Sequence, residues 1–164
     1  MEFKKYKVKG KLFSIFGKYE IRDEHDHIVY TAKSNFLQTK VPLIDDLGHE
    51  VLVIKRKLFA LRYTYFIEKR GEPLFKVVKT LGLKPTVFIE SLSQPDAFLV
   101  EGNIWGTEYA FYKEDEEFAY VSGKMFNLPG LYGVAIKDGE DKDAVLALVL
   151  IIDLIKRDKR RRRS

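Results

Sequence analysis

Apolar and polar residues alternate along most of this chain, and the alternation returns at a regular interval. Phe13 is followed by Tyr19 and Ile21; the same offsets recur at Phe59, Tyr65, Ile67, at Leu81, Val87, Ile89, and at Phe126, Tyr132, Val134. Shorter versions occur at Phe36, Val41, Leu43 and at Trp105, Tyr109, Phe111. The leading residues stand at 13, 36, 59, 81, 105 and 126, a period of about 21 to 24 residues. Each unit also carries a turn signal in its second half: Asp23–Asp26, Asp45-Asp46 with Gly48, Arg70-Gly71, Gln94-Pro95-Asp96, Glu114-Asp115 and Asp138-Gly139. Asp and Gly accept turn dihedrals and hydrogen-bond the local backbone. Between turns the apolar residues repeat every second position, as a half-buried strand requires. The unit is therefore strand–turn–strand, and six units predict about twelve antiparallel strands. Pro42 and Pro85 argue locally for strand starts or edges, because proline cannot donate to a ladder.

The alternation stops at Asp141. An apolar stretch, Ala144–Ile152, follows, then Asp153, Leu154 and Ile155. Asp141 or Asp143 suits the exposed N–H groups of a helix start, and Lys156 with Arg157 suits its end. A helix over about 142–155 has an apolar run of roughly twelve residues, about 18 Å long; crossing a bilayer takes about twenty. No transmembrane insertion is expected. A helix apolar on every side must be buried on every side. A barrel of about eight strands is filled by its own side chains, whereas a wider one leaves a lumen. The helix is thus predicted to fill a twelve-stranded barrel. The competing reading makes a β-strand of the β-branched stretch Val149–Ile152.

The Lys11-Leu12-Phe13-Ser14 and Lys57-Leu58-Phe59 units, and Tyr19-Glu20-Ile21-Arg22-Asp23-Glu24-His25, resemble the LURP-one-related family. Val100-Glu101-Gly102-Asn103-Ile104-Trp105 and the apolar run Ala144–Asp153 resemble it too. The likeness covers the chain up to its basic end. It implies kinship with tubby C-terminal-like proteins and phospholipid scramblases, and a twelve-stranded barrel around a central helix. Tubby domains bind phosphoinositide head groups through surface Lys and Arg, but no motif here allows those residues to be matched. No functional residue is carried over.

Composition narrows the classes. Hydrophobic residues make up 46% and aromatics 13%, enough for a sizeable core and against disorder. There is no Cys, hence no disulfide or thiolate metal site. The N-terminal Met1–Lys7 has no apolar run after its charges, so a cytoplasmic protein, peripheral to a membrane if it meets one, is expected. The formal net charge is +5, but Lys156, Arg157, Lys159, Arg160, Arg161, Arg162 and Arg163 less Asp158 already give +6, leaving the rest near −1. Residues 1–155 read as one domain and 156–164 as a basic, unstructured tail.

The tail is the sharpest polar feature. Its charges suit an anionic lipid surface or nucleic-acid phosphates, or are a solvated end. Lys55 and Lys57 would share one strand face, with Arg56 opposite and Arg62 and Tyr63 nearby, either as a phosphate patch or as an ordinary solvated face. His25, Asp26 and His27 read as a polar turn better than as metal ligands. Asp153 is expected at a barrel mouth, paired with Arg157 four residues on. The run Glu114–Glu117 reads as a solvent-facing turn. No catalytic, metal or cofactor motif is present. The expected function is a non-catalytic module for anionic phospholipid head groups, or one tethering a protein partner to them. Nucleic-acid binding through the tail is the alternative, and an enzyme with a site in a barrel mouth is a third class.

Overall fold

The computed structural model describes residues 2–10, 18–60, 62–80, 87–93, 98–126 and 131–163, with 159–163 as backbone only. Twelve strands follow one another: β1 (Phe3–Gly10), β2 (Lys18–Arg22), β3 (Ile28–Lys33), β4 (Lys40–Asp45), β5 (Glu50–Arg56), β6 (Thr64–Lys69), β7 (Glu72–Lys79), β8 (Val87–Ser91), β9 (Leu99–Asn103), β10 (Glu108–Lys113), β11 (Glu116–Ser122) and β12 (Leu131–Lys137). One helix, α1 (Lys142–Arg163), ends the chain. The strands form a single antiparallel sheet in the order β8-β7-β6-β5-β4-β3-β2-β1-β12-β11-β10-β9. The sheet curls into a nearly closed barrel, with β8 and β9 as the two edges of its seam.

The second and third residues of every repeat lie on an even-numbered strand and point inward. Tyr19 and Ile21 on β2, Val41 and Leu43 on β4, Tyr65 and Ile67 on β6, Val87 and Ile89 on β8, and Tyr109 and Phe111 on β10 are all buried. On β12, Val134 is buried and Tyr132 packs against the same core. Register follows from this alternation: Val8 of β1 sits opposite Ile21 on one side and Tyr132 on the other. The ladder is disturbed just after the third repeat residue, at Ile21/Arg22, Leu43/Ile44, Ile67/Glu68 and Phe111/Tyr112. Such bulges bend a strand and increase its twist, so the repeat also spaces the corners of the barrel.

One expectation changes. The sixth unit is not a hairpin: β12 turns at Asp138-Gly139 into α1, and its open side is paired by β1, from Phe3↔Lys137 to Lys9↔Leu131. Chain start and last strand thereby close the sheet. Pro42 lies within β4, opposite Val53 of β5, with its other side a local edge, as expected. It is tolerated there because the β3–β4 ladder has already ended at Ala32↔Leu43. Pro85 lies outside the described residues.

The helix reading holds where the apolar run predicted it. Asp141 caps the start, its carboxylate accepting from the Ala144 N–H at 3.1 Å. Every side chain from Ala144 to Ile152 is buried in the lumen against the inward faces of the strands. The helix does not end at 155, however. It runs 22 residues, about 33 Å, to Arg163, longer than the strands around it. Lys and Arg are good helix formers and favour a C-terminal turn, so the basic segment continues the helix through residue 163 instead of leaving it as a coil.

Candidate functional site at the mouth where the helix exits

Because consecutive strands run antiparallel, successive connections fall at opposite ends of the barrel. Connections at 34–39, 57–60 with 62–63, 104–107 and 123–126 lie toward the C-terminal part of α1, the exit mouth. The turns at 23–27, 46–49, 70–71, 114–115 and 138–141 face its N-terminus, the entry mouth, and the predicted turn Gln94-Pro95-Asp96 lies outside the described residues. The leading residue of each described repeat falls in an exit connection, not in a strand. Phe36 and Phe59 are exposed, while Trp105 and Phe126 are half-buried; Phe13 and Leu81 lie outside the described residues.

Inside the exit mouth, four repeat tyrosines, Tyr19, Tyr65, Tyr109 and Tyr132, surround the last buried turn of the helix. Asp153 is the hub. Its Oδ2 accepts from the Tyr19 hydroxyl at 2.6 Å and from Arg157 Nε at 2.6 Å. The Arg157 guanidinium also stacks over the Tyr19 ring, 5.1 Å from its centroid. Glycine at position 10 makes room for it, since a Cβ there would fall 1.9 Å from Arg157 Nη2. The Tyr132 hydroxyl is buried and has no hydrogen-bond partner among the described residues. Burial pushes Tyr19, Tyr109 and Tyr132 well above the usual tyrosine range, with the Asp153 charge adding to it. Burial likewise pushes Tyr65 up to about 12. For Arg157, burial pulls the pKa down, but Tyr19 and Asp153 outweigh it and leave it raised.

The predicted site residues divide between plug and rim. Lys156 is buried and donates to Thr107 Oγ1. Arg157 is held by Asp153, as its spacing predicted; the Tyr19 partner was not foreseen. These two cations lock the helix in its barrel and are not part of a loose tail. Asp158 faces Arg56 at 3.7 Å, and Arg56 covers the Tyr63 ring at 4.9 Å. Lys55 points outward and pairs with Glu68 at 2.6 Å. Lys57 does not share its strand face, because β5 stops at Arg56. Lys159, Arg160, Arg161, Arg162 and Arg163 continue along the helix backbone beyond the mouth. His25, Asp26 and His27 form the β2–β3 turn, organised by Asp23, whose Oδ1 accepts from the His25 and His27 N–H groups at 2.9 Å each.

The charge sum near −1 outside the basic end stands, but the rim shows that this charge is unevenly placed. Lys9, Lys18, Lys33, Lys40, Lys55, Arg56 and Lys79 stand at strand ends around the exit mouth, and Lys57, Arg62 and Lys124 in its connections. Among the described residues those connections contain no carboxylate. The entry turns carry Asp23, Glu24, Asp26, Asp46, Glu114, Asp115, Asp138, Glu140 and Asp141 against Arg70. A body whose net charge is near zero is thus polarised end to end. Summing charge along the chain hides this, because alternate connections go to opposite ends.

A twelve-stranded antiparallel barrel threaded by its own C-terminal helix defines the structural class. Within it, the chain belongs to the LURP-one-related family, whose model matches residues 4–153. The solved X-ray structure of a protein from Arabidopsis thaliana shares the fold, with a TM-score of 0.67 and 18% identity over 92% of this chain and 91% of that one. No curated protein sequence matches significantly. The family match stops at Asp153, so the last ten residues of α1 lie beyond it. Among the described residues no helix is long and apolar enough to cross a membrane.

Proposed function

We propose that this chain is a non-catalytic binding module whose exit mouth engages anionic phospholipid head groups, or tethers a partner to such a surface. The observation that supports it is the juxtaposition of like charges on the rim. Lys18 sits directly opposite Lys33 across β2–β3, and Lys40 opposite Lys55 across β4–β5, where Glu68 meets the Lys55 ammonium at 2.6 Å. Like charges in such positions destabilise a sheet, by about 0.2–1 kcal/mol per pair. An anionic surface would reverse that sign, and each Lys or Arg near it contributes about 1 kcal/mol. The helix adds its last basic turns at the same end. Inside the mouth, by contrast, Asp153, Tyr19 and Arg157 are bonded to one another, which suits a structural plug better than a catalytic centre.

Co-sedimentation tests this. Phosphatidylserine vesicles should retain the full chain at low salt and release it as salt rises. Lys33→Glu with Lys40→Glu, and separately a chain ending at Asp158, should each bind more weakly. Stopping at Asp158 leaves Lys156 and Arg157 in place, so the barrel stays plugged. If neither phosphatidylserine nor phosphoinositide vesicles retain the full chain at low salt, the reading fails. Salt-sensitive binding to RNA or DNA, lost on truncation, would put the nucleic-acid reading in its place.

A further inference from the structure

Four large apolar side chains stand exposed on two neighbouring exit connections: Phe36 at 80%, Leu37 at 68%, Leu58 at 53% and Phe59 at 102% relative accessibility. We infer that these residues form a wedge that enters the acyl boundary of an anionic bilayer while the surrounding lysines hold the head groups. The inference deepens the lipid reading above and rests on it.

The two connections are built as presenting platforms. In the first, Asn35 ties the loop together: its Oδ1 accepts from the Thr39 and Lys40 N–H groups at 2.8 and 3.0 Å. Its own carbonyl accepts from the Gln38 N–H at 3.0 Å. Phe36 and Leu37 are the two central residues of that closed turn, so they are held at its tip. In the second, Leu58 and Phe59 occupy the turn that follows β5. A backbone bond from the Arg56 N–H to the Thr39 carbonyl, 2.8 Å, fastens one platform to the other. Folding gives no reason for an aromatic at 59: the ring is fully exposed, and the residue is held at a φ of 61°. A bulky side chain with that backbone is strained, and strain retained without burial points to a role outside the fold.

The surroundings identify the occupant. Lys33, Lys40, Lys55 and Lys57 flank the four apolar residues, and no carboxylate lies in either connection. Apolar tips ringed by lysines match the layering of an anionic membrane surface, where acyl chains lie beneath charged head groups. A protein groove would supply apolar contact but needs no such ring.

A reporter can be placed at the tip. In a Trp105→Phe background, Phe59→Trp should show blue-shifted emission on phosphatidylserine vesicles and quenching by brominated acyl chains, with neither change on neutral phosphatidylcholine. Phe36→Ser with Phe59→Ser should weaken vesicle binding about tenfold while leaving the salt dependence of the remainder intact. Phe59→Asn should keep or raise Tm, which separates lost binding from lost folding. Vesicles that retain the chain without quenching the indole, or a double Ser variant that binds as well as wild type, would overturn the wedge and leave the head-group reading standing. If the wild-type chain ignores the vesicles, both fall together.

Discussion

At the end of the barrel where α1 begins, the described turns are rich in carboxylates, with Leu47 as an isolated exposed apolar residue; where the helix leaves, the described connections hold no carboxylate, and two neighbouring ones are tipped with the exposed pairs Phe36–Leu37 and Leu58–Phe59. At the first end, carboxylates meet nearby cations: Lys4 pairs with Asp138 at 3.1 Å and Lys113 with Glu140 at 2.6 Å. Tyr30 bonds Asp143 in the first helical turn. At the second, Lys18 faces Lys33 and Lys40 faces Lys55 across the strands, while the carboxylates that meet cations there, Glu68, Asp153 and Asp158, come from a strand and the helix and not from the connections. The helix dipole suits this arrangement, with acidic residues at its positive end and basic ones at its negative end. The difference teaches that the turns of one end are acidic and matched to nearby cations, whereas the connections of the other gather cations without carboxylates of their own and present Phe36, Leu37, Leu58 and Phe59 on two neighbouring tips.

Several measurements can break or sharpen that contrast. The largest effect is expected at the shared helix. Leu148→Asp places a charge in the middle of the lumen without a partner, at a cost of roughly 5 kcal/mol or more, within the whole stability of an ordinary domain. No cooperative unfolding transition should remain by calorimetry; a soluble, cooperatively melting variant would contradict the buried helix. Next comes the plug of the exit mouth. Asp153→Ala strands the Arg157 guanidinium and the Tyr19 hydroxyl and should cost about 3 kcal/mol in urea unfolding. Asp143→Ala at the entry mouth removes a more exposed bond and should cost about 1 kcal/mol. Equal losses would mean that the two ends are braced alike.

Alkali should act through the tyrosines. Their folded pKa values lie above those of the unfolded chain, so the neutral form is favoured by folding. That contribution is complete below about pH 10 and is lost as pH rises toward the folded values. Tyr65, at about 12 in the fold, alone withdraws roughly 3 kcal/mol across that window. The tyrosinate absorbance of these four rings should therefore appear only with unfolding; a folded protein in which all nine tyrosines titrate together near pH 10 would contradict their burial. The smallest effect has the opposite sign. Lys33→Glu replaces a repulsion with Lys18 by an attraction and should raise stability by about 0.5 kcal/mol, while weakening binding to phosphatidylserine vesicles. A variant that gained stability and lost no binding would show that the rim charge is not used there.

Much of this molecule is legible in its sequence. The repeated Tyr-x-Ile offsets mark the inward face of the even strands, because side-chain direction in a strand depends only on position. The apolar run Ala144–Ile152 marks a helix buried on all sides, and the spacing of Asp153 and Arg157 marks their ion pair, for the same local reason. What pairs with a strand or a side chain is not local. Only the closed sheet brings β1 against β12, Tyr19 to Asp153 and Gly10 under Arg157, since each joins residues more than a hundred positions apart. Only the topology sorts the connections into two ends, turning a body of almost no net charge into one with an acidic and a basic mouth. Exposure of Phe36 and Phe59 belongs to the same class. The repeat phase locates those rings along the chain, but whether a ring is covered depends on what the rest of the fold places over it.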